Sequence, residues 1–150
     1  GILRADGSRY HYIDHGTIRT DSDTEMGKRL EKLYDSISEV VTTYKPDWAG
    51  IESLFFARNA SSAIPVAQAR GVILLALAKA EIPTEDLSLQ EIKRSITGVG
   101  RAEKAQVQEL VRVLLGLKEI PKSDHAADAL AAAICCYNKH SANIQLSKGT

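Results

Sequence analysis

Met26, Leu30, Leu33, Ile37, Val40, Val41 and Tyr44 recur at helical spacing for about five turns, and Pro46-Asp47 then stops the pattern. Directly beyond, Trp48-Ala49-Gly50-Ile51-Glu52 is a short, mostly apolar run of buried-strand type. A long one-sided helix that hands over to a short buried strand belongs to layered folds in which helices cover a sheet.

The flanking sequence extends this alternation. Ile2 to Ala5, the pair Asp6-Gly7, and Tyr10 to Ile18 read as a hairpin whose second arm could reach Thr20, because Asp-Gly supplies the positive φ of a tight turn. Asp21 to Thr24 is turn-like and offers caps to the helix that follows. Residues 59 to 80 are rich in Ala, Val, Ile and Leu, with small residues such as Ala67, Ala69 and Gly71, and predict a buried or interface helix. Pro83 breaks it, Thr84 to Leu87 predicts a strand, and Ser88 with Glu91 has capping-box spacing for a helix to Ile96. After Gly98-Val99-Gly100, Ala102 to Leu115 carries an amphipathic pattern that Gly116 closes. Ser123 can cap a last helix to Tyr137, and the polar tail 138–150 is expected to fray. The expectation is one domain over residues 1–137, a mixed α/β sheet with helices on both faces.

A chain of 150 residues can bury a core without disulfide or metal. Its 19 basic and 19 acidic residues cancel, so net charge by itself points to no polyanionic partner. The distribution is less even: residues 21 to 47 hold seven acidic and four basic side chains, residues 88 to 122 seven basic and four acidic. Adjacent Cys135 and Cys136 suit neither an unstrained mutual disulfide nor a usual zinc pattern, and read as reduced thiols in a helix. There is no apolar run of membrane-spanning length and no signal-peptide pattern, so a soluble, cytoplasmic protein is expected.

Three groups of residues could carry chemistry. Glu52 ends an apolar strand, where open α/β sheets collect ligands, although a solvated loop carboxylate would look the same. In Asp124-His125-Ala126-Ala127-Asp128, His125 and Asp128 share one helix face amid alanines, as divalent-metal ligands or as an ordinary helix start with acidic residues at the positive end of the dipole. Arg58, Arg70, Lys93, Arg94, Arg101 and Lys104 lie between these segments, and Phe55-Phe56 follow Glu52; each reads either as a phosphate- or base-contacting residue or as plain surface and core.

Four segments, in order, resemble the bacterial RuvC family of Holliday-junction resolvases: Ile51-Glu52-Ser53-Leu54-Phe55-Phe56-Ala57-Arg58-Asn59-Ala60, Gln68-Ala69-Arg70-Gly71-Val72, Thr97 to Gln108, and His125-Ala126-Ala127-Asp128-Ala129-Leu130-Ala131. The resemblance runs over about residues 1 to 137. It implies a ribonuclease H-like fold with a five-stranded mixed sheet and metal-dependent cleavage of four-way DNA junctions in recombination and repair.

It further implies Glu52, His125 and Asp128 as catalytic metal ligands for two Mg²⁺ ions, with Mn²⁺ able to substitute, and Asp124 as a weaker candidate for a fourth ligand. Lys104 and Lys93 would be the cations nearest the scissile phosphate, Phe55 the aromatic inserted at the junction, and Arg58, Arg70 and Arg101 further DNA contacts. A homodimer and a partnership with RuvA and RuvB are implied in the same way. Family members open with a strand bearing Asp-Pro-Gly-Ser/Leu, which the resemblance leaves unmatched here. The expectation is a truncated or incompletely represented chain, with a junction-binding but non-cleaving protein as the alternative.

Overall fold

The computed structural model of the chain describes residues 1–53 and 60–148. In chain order these form β1 (Ile2–Asp6), β2 (Arg9–Asp14), α1 (Met26–Tyr44), β3 (Ala49–Glu52), α2 (Ala60–Lys79), β4 (Thr84–Leu87), α3 (Leu89–Thr97), α4 (Lys104–Leu114) and α5 (Asp124–Lys148). They fall into two compact units, one of residues 1–17, 50–53 and 85–150, the other of residues 18–49 and 54–84.

The first unit begins with an antiparallel hairpin in which Leu3 pairs with Tyr12 and Ala5 with Tyr10. Gly7 turns it at φ 61°, the left-handed conformation that glycine adopts without strain. The second arm stops at Asp14, short of the expected Ile18. There the backbone N–H of His15 turns onto the Asp14 carboxylate at 2.8 Å, a local bond that replaces a ladder bond.

Strands β3 and β4 form the other pair. The N–H of Ala49 donates to Pro83 O at 2.9 Å and that of Ser53 to Leu87 O at 2.7 Å, a constant offset that makes the strands parallel with α2 as their crossover. Among the described residues, then, the strands are divided into two two-stranded sheets, β1–β2 and β3–β4, where sequence predicted one sheet of five.

The core of this unit gathers on α5. Leu130 and Ile134 are fully buried together with Leu87 and Val111, and Ile92, Ile96, Val107 and Leu115 surround them. Ala126, Ala127, Ala131 and Ala132 are buried between these larger residues, so neighbouring elements approach the helix closely. The capping box predicted at Ser88 is formed: its hydroxyl accepts from the Glu91 N–H at 3.2 Å, and the Glu91 carboxylate accepts from the Ser88 N–H at 2.7 Å.

Far from fraying, the polar tail continues α5 past Tyr137 to Lys148. Three tethers hold its middle. Tyr10 donates to the Asn138 side chain at 2.6 Å, Asn138 donates to Ser95 at 3.0 Å, and Lys139 donates to Asp86 O at 3.1 Å. These partners come from β2, α3 and β4, and no periodicity within residues 138–150 announces them.

In the second unit α1 packs against α2, and the Lys79 ammonium lies 5.7 Å from the Tyr34 ring centre. The predicted turn at Asp21 to Thr24 is present, with the Asp21 carboxylate accepting from the Asp23 N–H at 3.0 Å. Its residues do not cap α1, because the helix starts at Met26 with Glu25 in the capping position and no side-chain cap bond. On α2, Ala76 and Leu77 are buried, whereas Ile64, Val66 and Leu75 are exposed. Among the described residues no helix is long and apolar enough to cross a membrane.

Strand β3 is closely packed at Gly50, where a Cβ would lie 2.8 Å from Cys136 Cβ and 2.8 Å from Leu87 Cδ1. Gly50→Ala should therefore lower stability in urea unfolding by about 1–3 kcal/mol, the usual cost of overpacking. An unchanged midpoint would show that β3 can move away from α5.

Candidate active site

Glu52 is the last residue of β3, at the carboxyl end of the parallel pair, and its side chain is exposed. Ionisable groups near it come from the first two turns of α5 and the first turn of α4. On α5, Asp124 and Asp128 stand one turn apart on one face; on α4, Lys104 and Gln108 do the same. Buried Ala126 and Ala127 lie between the two aspartates in sequence and turn into the core, which leaves the acidic face outward.

Lys104 Nζ sits between the aspartates, 3.2 Å from Asp124 Oδ2 and 3.4 Å from Asp128 Oδ2. The side-chain amide of Gln108 donates to Asp124 Oδ1 at 3.0 Å. The Gln108 amide, then the Lys104 ammonium, hold the Asp124 carboxyl below its ordinary pKa. Its hydrogen bond to Asp124 in turn raises the Lys104 pKa, with Asp128 adding to the effect.

Glu52 shifts the other way. Loss of hydration is the larger cause of its raised pKa, repulsion from the Asp128 carboxylate is second, and Lys104 offsets part of both. Two carboxylates that repel across an open face, balanced by one ammonium, form a site short of positive charge.

Such a pair suits a hard divalent cation, because Mg²⁺ takes one or two carboxylates and completes its coordination with water and substrate phosphate oxygens. Among the described residues no three of His, Cys, Asp and Glu lie close enough to hold an ion by themselves. His125 is exposed on the first turn of α5, near enough to Asp124 to favour its ionised form, and is not gathered with Glu52 and Asp128 into one group.

The remaining candidates are dispersed. Lys93 is half-buried on α3, and Arg101 is exposed in the segment before α4. Arg70 belongs to α2 in the second unit. Phe55 and Arg58 lie outside the described residues. Gln108 is the one member of the network that sequence reasoning did not single out. Its spacing of four from Lys104 matches the Asp124–Asp128 spacing and was the available signal.

The family profile described as Crossover junction endodeoxyribonuclease RuvC matches residues 1–136. The chain belongs to the RuvC family. Its relatives include the RuvC of Treponema denticola, 49% identical with 92% of this chain and 78% of that protein covered. The RuvC of Rubrobacter xylanophilus is 47% identical, with 90% and 75% covered.

Among solved structures, Thermus thermophilus RuvC superposes with a TM-score of 0.83 at 28% identity, covering 93% of this chain and 86% of that one. The same protein in complex with a Holliday junction substrate superposes at 0.87 with the same identity and coverage. The α/β architecture is thus the ribonuclease H-like fold of RuvC, and the relatives' name is that of a DNA hydrolase.

All three charged groups of the Lys104 cluster are substantially exposed, with side-chain accessibilities of 52%, 67% and 44% for Lys104, Asp124 and Asp128. Exposed pairs contribute little to folding, so Lys104→Met should cost at most a slight loss of stability. A larger loss in urea or thermal unfolding would assign Lys104 to the folding of the α4–α5 pair.

Proposed function

We propose that this protein resolves four-way DNA junctions by metal-dependent hydrolysis of phosphodiester bonds, with Glu52 and Asp128 at the centre of the site. The observation that carries the reading is the Lys104 ammonium 3.4 Å from Asp128, with Glu52 at the end of β3 near enough to feel both charges, a pattern that a divalent cation and a phosphate would complete. The Treponema denticola relative bears the name of a crossover junction endodeoxyribonuclease, and the Thermus thermophilus relative was solved with a Holliday junction substrate.

In this mechanism the two carboxylates would hold the cation, Mg²⁺ with Mn²⁺ able to substitute, two ions per site. A cation so held supplies Lewis-acid charge at the phosphate being cut. His125 would complete the ligand set, its exposed imidazole lying in the first turn of α5 beside Asp124 and three residues before Asp128. Lys104, already in the carboxylate cluster, neutralises charge that grows on the phosphate oxygens as the bond breaks. Lys93, Arg101, Arg70 and Arg58 contact the DNA backbone, and Phe55 stacks at the opened junction.

Paired cuts on strands of like polarity follow from a two-fold symmetric homodimer. The exposed Ile64, Val66 and Leu75 on α2 support such an interface. Action in the bacterial cytoplasm with RuvA and RuvB rests on family resemblance.

Cleavage of an end-labelled synthetic four-way junction tests this reading. Glu52→Gln and Asp128→Asn should each slow cutting at least about a hundredfold while leaving junction binding within a few-fold, because several kcal/mol of transition-state stabilisation depend on the held cation. Full activity in either variant sinks the assignment of these ligands. A second expectation concerns His125: imidazole favours softer ions, so Mn²⁺ should support faster cutting than Mg²⁺, and His125→Asp should narrow the gap. Equal rates with both ions at saturation would remove His125 from the ligand set.

A further inference from the structure

We infer that Asp124 and Gln108 are positioning residues for Lys104, holding its ammonium at the site when Asp128 turns its charge toward a divalent cation. The inference rests on the reading that Glu52 and Asp128 hold that cation.

The four side chains are two helix turns face to face. Asp124 uses both oxygens, Oδ1 toward Gln108 Nε2 at 3.0 Å and Oδ2 toward Lys104 Nζ at 3.2 Å. Asp128 meets the lysine through Oδ2 alone, at 3.4 Å. Lys104 is thus shared, paired with Asp124 and hydrogen-bonded to Asp128 at similar distances, and Asp124 is itself held by an amide that carries no charge. A carboxylate committed in this way is poorly placed to be a fourth ligand.

Lysine is a point charge on a flexible four-carbon stem, and here that stem starts from an exposed position. A divalent cation at Asp128 would repel the ammonium at short range, where like charges interact most strongly. With no second anion in reach, Lys104 would swing into solvent and leave the phosphate uncompensated. Asp124 supplies that anion one turn away. Gln108 fixes its orientation without adding a positive charge that would compete with Lys104. The lysine can therefore give up Asp128 and stay within the site.

The test follows the Lys104 ammonium by ¹⁵N NMR order measurements in the unaltered chain, Asp124→Asn and Gln108→Leu, each without and with saturating Mg²⁺. The Glu52 and Asp128 carboxylate carbon signals are read in parallel. In the unaltered chain Lys104 should stay ordered when Mg²⁺ is added. In Asp124→Asn it should become mobile once Mg²⁺ binds, with kcat on the junction falling about tenfold while KM and Mg²⁺ affinity stay within about threefold. Gln108→Leu should act in the same direction at about a third of that effect. Because it leaves the α5 residues intact, it separates positioning from a loosened helix start.

Tenfold weaker Mg²⁺ binding in Asp124→Asn would make Asp124 a ligand and overturn the inference. So would Lys104 order that is indifferent to both substitutions. If Mg²⁺ fails to move the Glu52 and Asp128 signals in the unaltered chain, the metal reading itself fails and the inference falls with it, an outcome told apart by those signals alone.

Discussion

Gly50 lets β3 run against α5 more closely than any side chain would permit. A single added carbon there would collide with both Cys136 and Leu87, two of the buried residues around which the first unit is packed. The alanines of α5 extend the same tolerance toward its first turns, where Ala126 and Ala127 are buried. The chemistry follows from this packing. Two residues beyond Gly50 the strand ends in Glu52, within electrostatic reach of Asp128. A bulkier interface would separate the carboxylates, and their repulsion, on which the proposed cation binding rests, would fade with distance.

The carboxylates are unequal because their surroundings differ. Asp124 lies in the first turn of α5 and faces an amide and an ammonium, which together favour its ionised form. Glu52 is partly desolvated and faces another carboxylate, which favours its neutral form. Lys104 is shared between Asp124 and Asp128 and also lessens the strain on Glu52. One ammonium therefore sets the balance of three acids. Its exposure keeps the stability contribution of these pairs small, so the arrangement acts on charge placement far more than on folding.

Much of this was legible in the chain. The periodicity of Met26 to Tyr44, the Ser88–Glu91 capping box and the strand at Thr84 to Leu87 are local signals, and the corresponding elements stand where these residues place them. The acidic ends of β3 and α5 were readable as candidate ligands from position and spacing. Long-range features were not. Tyr10, Ser95 and Asp86 order residues 138 and 139 from far away in sequence, and the tail's own composition carries no trace of them. Gln108 escaped because a glutamine on a helix face is ordinary until its partner across the α4–α5 contact is known. His125 is a different case: its spacing from Asp128 left a ligand and an ordinary helix start equally open, and a helix face shared in sequence does not by itself say whether Glu52 joins it.

Net neutrality, which counts against a polyanionic substrate when read as a sum, loses that force once the charges are located. The acidic stretch from residue 21 to 47 belongs to the second unit, whereas the basic stretch from 88 to 122 belongs to the first, together with Glu52 and Asp128. Lys93, Arg94, Arg101 and Lys104 thus share a unit with the carboxylates, in the helices and loop that lead into the site. Affinity for a phosphate backbone depends on the cations that displace its counterions locally, and charges farther away than a Debye length, about 8 Å at physiological salt, contribute little. A neutral chain can therefore hold a strongly charged substrate over one face. Lys104, one of these cations, also tempers the repulsion at Glu52, so in the proposed function substrate binding and cation binding would draw on one local balance of charge.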